Sequence, residues 1–395
     1  MQHPRARSYV LIWLSIVVGP GLLYALSAIA LWNANEYPTT SRNVSVTLER
    51  PVLYNALSVP LWAYKSGMYR ARQPKVTVVG SSRAMMIRDY FFRSSFYSLA
   101  GLVAGPNQLD YVERSLFAAH QPEVLIAILD FWTFCDKDRS DSDVYEADTK
   151  SAWPLWLLRL VFNGALSVGD IATLLLQRAS TNIGNVEKVG ITAVLRDIGF
   201  GNDGSYHYFG RLASFRLASP GARWEEASGR IARGEGQFVH GCAVATSAID
   251  KLASIVDKIT AEGTRVVLIL GPMPKNILSE MDTGGHYEYI TDLRRALKER
   301  LSFPVEYYDY HATTAALLPA CEFLDGFHGG EVTYARILLD IIQRNPATVL
   351  AGSLDREKLS RLVRSHSGRI TVDDNPLGEA YRRNFNLDVG ACDNP

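Results

Sequence analysis

The sequence predicts an α/β fold in which a parallel sheet is covered by helices on both faces. Three observations lead to this fold class. From residue 75 onward, short apolar runs alternate with longer amphipathic segments, as in proteins with a parallel sheet. Runs such as Val124–Leu129 are apolar at every position, which is typical of strands buried on both faces. Residues 136–245 break the alternation, which indicates an inserted cap.

Length and charge limit the class of protein further. A chain of 395 residues, 47% of them hydrophobic, can bury one substantial core plus an insertion, or two domains. Its 41 basic and 41 acidic residues give a formal net charge of zero. Because there is neither a basic surplus nor a nucleic-acid-binding motif, we expect no nucleic acid partner.

The N-terminal segment predicts a membrane anchor. Residues 8–32 carry no charged side chain, whereas Arg5 and Arg7 precede them. A helix of that length spans a bilayer, and the preceding positive charge favours residues 1–7 on the cytoplasmic side. We therefore expect one transmembrane helix, with the rest of the chain outside the cytoplasm. A cleaved signal peptide remains the alternative, because Ala28-Ile29-Ala30 has the small-x-small pattern of a cleavage site.

The remaining elements follow in order. Residues 33–74 mix charges, prolines and aromatics without a clean period, and we interpret them as a membrane-proximal stalk partly packed on the domain. Residues 351–395 are interpreted as a C-terminal tail with one helical pattern. Between these segments, periodicity predicts alternating strands and helices. They are the strands Val76–Val79, Phe96–Leu99, Val124–Leu129, Arg265–Leu270 and Val305–Tyr308, and the helices Gln108–Ala119, Ile249–Ile259, Tyr287–Leu301 and Glu331–Ile342.

The insertion over 136–245 starts with a charged loop and continues with an apolar segment, Trp153–Leu176, that is predicted to be helical. Because Arg159, Asn163 and Asp170 interrupt that segment, we interpret it as part of the cap rather than as a second membrane span.

Four cysteines, Cys135, Cys242, Cys321 and Cys392, are far apart and lack C-x-x-C spacing, which argues against a zinc knuckle. Disulfides in an oxidising compartment and isolated buried thiols both remain open.

Two short motifs carry the chemistry. Gly80-Ser81-Ser82-Arg83 directly follows the run Val76–Val79. A strand that stops at a glycine presents the next hydroxyl at the carboxyl edge of the sheet, where a helix N-terminus supplies backbone donors. In the second motif, Asp325-Gly326-Phe327-His328, the carboxylate and the imidazole can share one loop. A serine hydroxyl needs a base to take its proton, and imidazole has a suitable pKa, so the two motifs predict the halves of a serine active site.

The order of elements and the two motifs resemble the SGNH (GDSL-like) hydrolase superfamily, in particular its membrane-anchored bacterial branch that O-acylates extracellular polysaccharides. The resemblance covers residues 75–135 and 245–345. It implies a flavodoxin-like three-layer α/β/α catalytic domain over 75–350. It also implies that Ser82 is the nucleophile, with Ser81 at the position usually taken by Asp, and that Asp325 and His328 form the family's Asp-x-x-His block.

The resemblance also suggests substrate-binding groups. Oxyanion donors are expected at the backbone N–H of Ser82 and at that of Gly105, with Gly101 as a close competitor for the family's second block. Where the family has Asn, this chain has Asp130, which cannot donate a hydrogen bond when ionised, so it either contributes no donor or binds substrate hydroxyls. Arg83 is expected either to bind a substrate carboxylate or phosphate or to form a salt bridge.

The expected function is transfer of an O-acyl group, acetyl in the first place, to a cell-surface polysaccharide, or its removal. The resemblance implies a bacterial inner-membrane protein whose catalytic domain faces the periplasm, and a multi-spanning membrane acyltransferase as partner. No cofactor and no metal are expected. The alternative is a non-catalytic membrane-anchored scaffold that binds polysaccharide or organises an export complex.

Overall fold

The computed structural model describes residues 4–137, 156–176, 182–215, 221–301, 304–314, 316–372 and 376–385. Over these residues the chain is a mixed α/β protein with two five-stranded sheets, so the predicted α/β class is confirmed. The strands are β1 (Val52–Tyr54), β2 (Val76–Val79), β3 (Phe96–Ser98), β4 (Val124–Leu129), β5 (Asn182–Ile183), β6 (Val186–Val189), β7 (Gly199–Phe200), β8 (Tyr206–His207), β9 (Arg265–Leu270) and β10 (Glu306–Asp309).

The main sheet is entirely parallel and has the order β3-β2-β4-β9-β10. Counted along the chain within this sheet, the order is 2-1-3-4-5. The direction of winding therefore changes between β2 and β4, the first and third strands. Loops at the carboxyl ends of these two strands border the crevice where doubly wound proteins bind their ligands.

Fifteen α-helices are described along with the strands. They are α1 (Pro4–Asn33), α2 (Thr40–Glu49), α3 (Leu61–Arg72), α4 (Pro106–Val112), α5 (Trp156–Phe162), α6 (Val168–Leu176), α7 (Ile191–Arg196), α8 (Phe209–Phe215), α9 (Ala222–Arg233), α10 (Thr246–Ala261), α11 (Lys275–Gly284), α12 (Tyr289–Arg300), α13 (Glu331–Arg344), α14 (Arg356–Ser365) and α15 (Pro376–Phe385).

The two faces of β4 have separate cores. Leu125, Ala127 and Leu129 belong to one buried cluster, together with residues of α4, α10 and α12. Ile126 and Ile128 belong to another, together with residues of α13 and α14. Because successive side chains of a strand point to opposite faces, the sheet is covered by helices on both sides.

The second sheet has the order β5-β6-β1-β7-β8 and is mixed. Four of its strands come from the predicted insertion 136–245, and β1 comes from the segment interpreted as a stalk. The buried Lys65 on α3 links the two sheets, because its Nζ donates to the carbonyl of Ser98 in β3 (3.2 Å) and to that of Gly204 between β7 and β8 (2.9 Å).

The helical segment predicted over Trp153–Leu176 is interrupted. Residues 153–155 lie outside the described residues, and α5 and α6 are separated by a turn in which Gly164 has a φ of +72°. Ser167 then starts α6, since its Oγ accepts from the Asp170 N–H (3.0 Å) while Asp170 Oδ2 accepts from the Ser167 N–H (2.9 Å). Asp170, predicted as an interruption, is a capping residue.

The predicted N-terminal membrane anchor lies partly outside the described residues. The proposed span 8–32 lies within α1, of which the side chains up to residue 17 are not described, and residues 1–3 of the proposed cytoplasmic segment are not described either. Among the residues that the structure describes, no helix is long and apolar enough to cross a membrane.

The cysteines are oxidised where the structure describes them. Cys135 and Cys242 form a disulfide that joins the two ends of the insertion, and Cys321 is also disulfide-bonded. Cys392 lies outside the described residues. The described cysteines are therefore not free thiols.

Candidate active site

The Gly80-Ser81-Ser82 turn follows β2 at the edge of the sheet where the winding direction changes. Gly80 has a φ of +150°, and a Cβ there would lie 2.8 Å from Ala84 Cβ and 3.1 Å from the Ile128 carbonyl oxygen. This close approach requires glycine. The helix N-terminus expected here is that of a 3₁₀ helix, Ser82–Met86, and the Ser81 Oγ caps it by accepting from the Arg83 N–H (3.2 Å).

The Asp325–His328 loop is closed by its own carboxylate. Asp325 Oδ1 accepts from the N–H of Phe327 (3.1 Å) and from that of His328 (3.0 Å). Gly326 lets α9 of the insertion pack on the loop, since a Cβ at this position would lie 2.1 Å from Ala227 Cβ. The loop is thus held both by local hydrogen bonds and by the insertion.

The two loops meet. Ser82 Oγ lies 2.8 Å from His328 Nε2, and His328 Nδ1 lies 2.9 Å from each carboxylate oxygen of Asp325. Asp325 and His328 are buried, whereas Ser82 is partly exposed. In this arrangement the imidazole can take the hydroxyl proton, while the carboxylate fixes the imidazole tautomer.

A cation from the insertion faces the same carboxylate. Arg211 of α8 places Nη2 3.1 Å from Asp325 Oδ2, and its side chain is 37% exposed. Burial by itself would raise the pKa of Asp325, but His328, Arg211 and a backbone N–H outweigh burial and lower the pKa to about 2. Sequence reasoning missed Arg211, because no local pattern indicates that an arginine of the insertion reaches a loop more than a hundred residues away.

Arg83 and Asp130 pair with each other beneath the site. Arg83 Nη1 donates to Asp130 Oδ1 (2.9 Å), and both side chains are almost completely buried. The same guanidinium donates to the carbonyls of Phe327 (3.0 Å) and Pro272. Of the two roles expected for Arg83, the geometry is that of the salt bridge.

The candidate oxyanion donors differ in availability. The Gly101 N–H donates to the carbonyls of Gly80 (2.8 Å) and Ser81 (3.2 Å), so Gly101 holds the serine turn and is not a free donor. The N–H groups of Ser82 and Gly105 have no acceptor among the described residues. Gly105 precedes α4 and lines a small cavity of about 20 Å³ together with Gly80.

Comparisons of the chain with protein-family models, with curated proteins and with solved structures gave no match. Among the described residues, the cluster with metal-ligand spacing is Cys135, Asp136 and Cys242, and its two sulfurs are joined in the disulfide. The site is therefore defined by its own geometry: a hydroxyl, an imidazole and a carboxylate in series.

Proposed function

We propose that this protein is a serine acyl-transfer enzyme of the SGNH type, which transfers an O-acyl group, acetyl in the first place, to an extracellular polysaccharide or removes it. The observation that supports this function is the Ser82–His328–Asp325 series, with distances of 2.8 and 2.9 Å between successive polar atoms. These are hydrogen-bond distances of the kind a nucleophile and its base require.

In the proposed mechanism, Ser82 Oγ attacks the acyl carbonyl carbon while His328 Nε2 takes the hydroxyl proton. The tetrahedral intermediate collapses when His328 returns this proton to the leaving oxygen, which gives an acyl-Ser82 ester. A sugar hydroxyl or a water molecule then attacks that ester by the same steps in reverse. Asp325 holds the imidazole throughout, and the backbone N–H groups of Ser82 and Gly105 are the proposed donors to the oxyanion.

The strand order and a disulfide support the same proposal. The strand order 2-1-3-4-5 is that of flavodoxin-like sheets, the fold expected for the SGNH type. The Cys135–Cys242 disulfide fits an oxidising compartment. We propose that the domain acts outside the cytoplasm of a bacterium, attached to the inner membrane by α1, and receives acyl groups from a multi-spanning membrane acyltransferase.

The test uses purified protein, p-nitrophenyl acetate as acyl donor and a polysaccharide acceptor. We expect p-nitrophenol release by the wild type and loss of release in Ser82→Ala and His328→Ala. Ser81→Ala is the matched control, because it removes the neighbouring hydroxyl, which caps the 3₁₀ helix and does not contact His328 in the described structure. Full activity in the Ser82 and His328 variants would contradict the mechanism.

The same assay separates the remaining possibilities. Release without acceptor indicates an esterase, whereas acetylated polysaccharide indicates transfer. A protein that binds polysaccharide but releases no p-nitrophenol under either condition would be the scaffold considered from the sequence.

A further inference from the structure

Both oxygens of the Asp325 carboxylate contact a hydrogen-bond donor in addition to the imidazole. Oδ1 accepts from two backbone N–H groups of its own loop, and Oδ2 faces Arg211 Nη2 at 3.1 Å. The loop therefore fixes one side of the carboxylate, and α8 of the insertion fixes the other.

Helix α8 is itself firmly attached. The Gly210 N–H donates to the Asp197 carbonyl (3.0 Å), and a Cβ on Gly210 would lie 1.9 Å from the Arg196 carbonyl oxygen. The Phe209 ring stacks on Tyr381 of α15 with 3.9 Å between ring centroids. The hydroxyl of Tyr381 also donates to Asp197 Oδ1 (3.1 Å). Thus the end of α7 and the C-terminal helix α15 together hold the helix that carries Arg211.

The charges that face Asp325 come from three elements. His328 belongs to its own loop, and Arg211 comes from α8. Arg223 of α9 is close enough to interact electrostatically and donates to the Phe323 carbonyl (3.3 Å). Tyr208, which precedes α8, is the fourth titratable group nearby; burial, followed by Tyr206 and Asp325, raises its pKa, so it stays neutral. Among these groups, Arg211 is the cation in direct contact with the carboxylate.

We propose that Arg211 is a positioning residue that holds the Asp325 carboxylate oriented toward His328, so that the insertion completes the active site. This inference rests on the proposed function. It extends the series to Arg211, Asp325, His328 and Ser82, and it makes the docking of α8 a requirement for full activity.

The test compares Arg211→Gln with Arg211→Lys, which keeps the charge, and with Arg50→Gln. Arg50 is the matched control because it pairs with a different carboxylate of the insertion, Glu187 (2.7 Å), and its side chain is similarly exposed. Removing a neighbouring positive charge makes the Asp325–His328 pair bind its proton more tightly. In Arg211→Gln we expect kcat/KM to fall roughly three- to tenfold. The acidic limb of its pH profile should move about 0.5 to 1 pH unit higher.

Arg211→Lys should restore the position of the limb and most of kcat/KM, and Arg50→Gln should match the wild type. An unchanged profile in Arg211→Gln would overturn the inference. So would a fall in kcat/KM with no movement of the limb, because that result indicates a merely structural role. If the wild type itself releases no p-nitrophenol, the proposed function fails; if it is active and Arg211→Gln behaves like it, only this inference fails.

Discussion

The hydroxyl of Ser82 and the imidazole of His328 lie 246 positions apart in the chain and 2.8 Å apart in the structure. Two features bring them together. The glycine turn after β2 exposes the hydroxyl, and the buried Arg83 guanidinium, next to Ser82 in the chain, donates to the carbonyl of Phe327, next to His328. One side chain thus ties the two loops to each other.

The first prediction concerns the orienting carboxylate. Asp325→Asn should lower kcat about 10³- to 10⁴-fold, because the amide can present a donor to the imidazole and favour the wrong tautomer. Initial rates with p-nitrophenyl acetate measure this effect, and circular dichroism checks that the variant is folded. A fall of less than tenfold would mean that Asp325 does not orient the base.

The second prediction concerns acid stability. The folded-state pKa of Asp325, about 2, is below its ordinary value of 3.8, so the ionised carboxylate stabilises the fold above that value. This contribution should be lost as the pH falls from about 4 toward 2. In urea unfolding at a series of pH values, the free energy of unfolding should decrease more steeply toward acid pH in the wild type than in Asp325→Asn. Parallel curves would contradict the prediction.

The third prediction concerns the buried ion pair. Asp130→Asn leaves the Arg83 guanidinium buried without its counter-charge, and we expect the free energy of unfolding to fall by about 3 kcal/mol. Asp292→Asn is the matched control, since its pair with Arg295 is exposed on both sides and should cost less than about 0.5 kcal/mol. Urea denaturation measures both; similar values would show that the Arg83–Asp130 pair is not structurally important.

The fourth prediction concerns the disulfide at the ends of the insertion. The double variant Cys135→Ser/Cys242→Ser should lose about 3 kcal/mol of stability, because the unfolded chain gains freedom. Activity should largely remain, since the Asp136 N–H still donates to the Ala243 carbonyl (3.0 Å) and the Ala245 N–H to the Phe134 carbonyl (2.8 Å). Denaturation without reductant keeps the disulfide of Cys321 intact. An unchanged unfolding midpoint would contradict the prediction.

The fifth prediction concerns the serine turn. Gly80→Ala combines an unfavourable φ with close contacts to Ala84 and to the Ile128 carbonyl. We expect it to lower the free energy of unfolding by about 2 kcal/mol or more. Gly263→Ala is the matched control, because it has a φ of +99° and no atom within 4 Å of the added Cβ. Thermal denaturation should find the Gly80 variant clearly less stable. Equal losses would mean that the contacts at Gly80 relax without cost.

The three central strands of the main sheet, β2, β4 and β9, could be predicted from the sequence because each is a largely apolar run of four to six residues. The strands predicted at Val76–Val79, Val124–Leu129 and Arg265–Leu270 are confirmed with the same bounds. The helix predicted over Gln108–Ala119 starts earlier, at Pro106, and continues as a π-helical turn, Glu113–Phe117. Periodicity detects such helices, but it does not define their ends.

The second sheet could not be predicted in this way. Its strands are two to four residues long, too short for an alternating pattern, and β1 lies in a segment interpreted as a stalk. Lys65 illustrates the difficulty. A lysine in a helix suggests an exposed position, yet here it is buried because carbonyls of both sheets accept its hydrogen bonds.

The candidate active site could be predicted only in part, because some of its residues lie in local motifs and others do not. Ser82, Asp325 and His328 lie in short local motifs, and the structure brings all three together. The contact of Arg211 with Asp325 depends on how the insertion packs. The Gly101 N–H is not available as an oxyanion donor because it donates to the Gly80 carbonyl. Contacts of this kind follow from tertiary structure, so the sequence contains no local signal for them.

Labelling with a fluorophosphonate probe, followed by mass spectrometry of the digested protein, tests most directly whether Ser82 is an activated nucleophile. We expect one modified site, on the peptide that contains Ser82, and loss of the modification in His328→Ala while Ser81→Ala is still labelled. A folded wild-type protein that stays unlabelled, or one labelled equally with and without His328, would contradict this expectation.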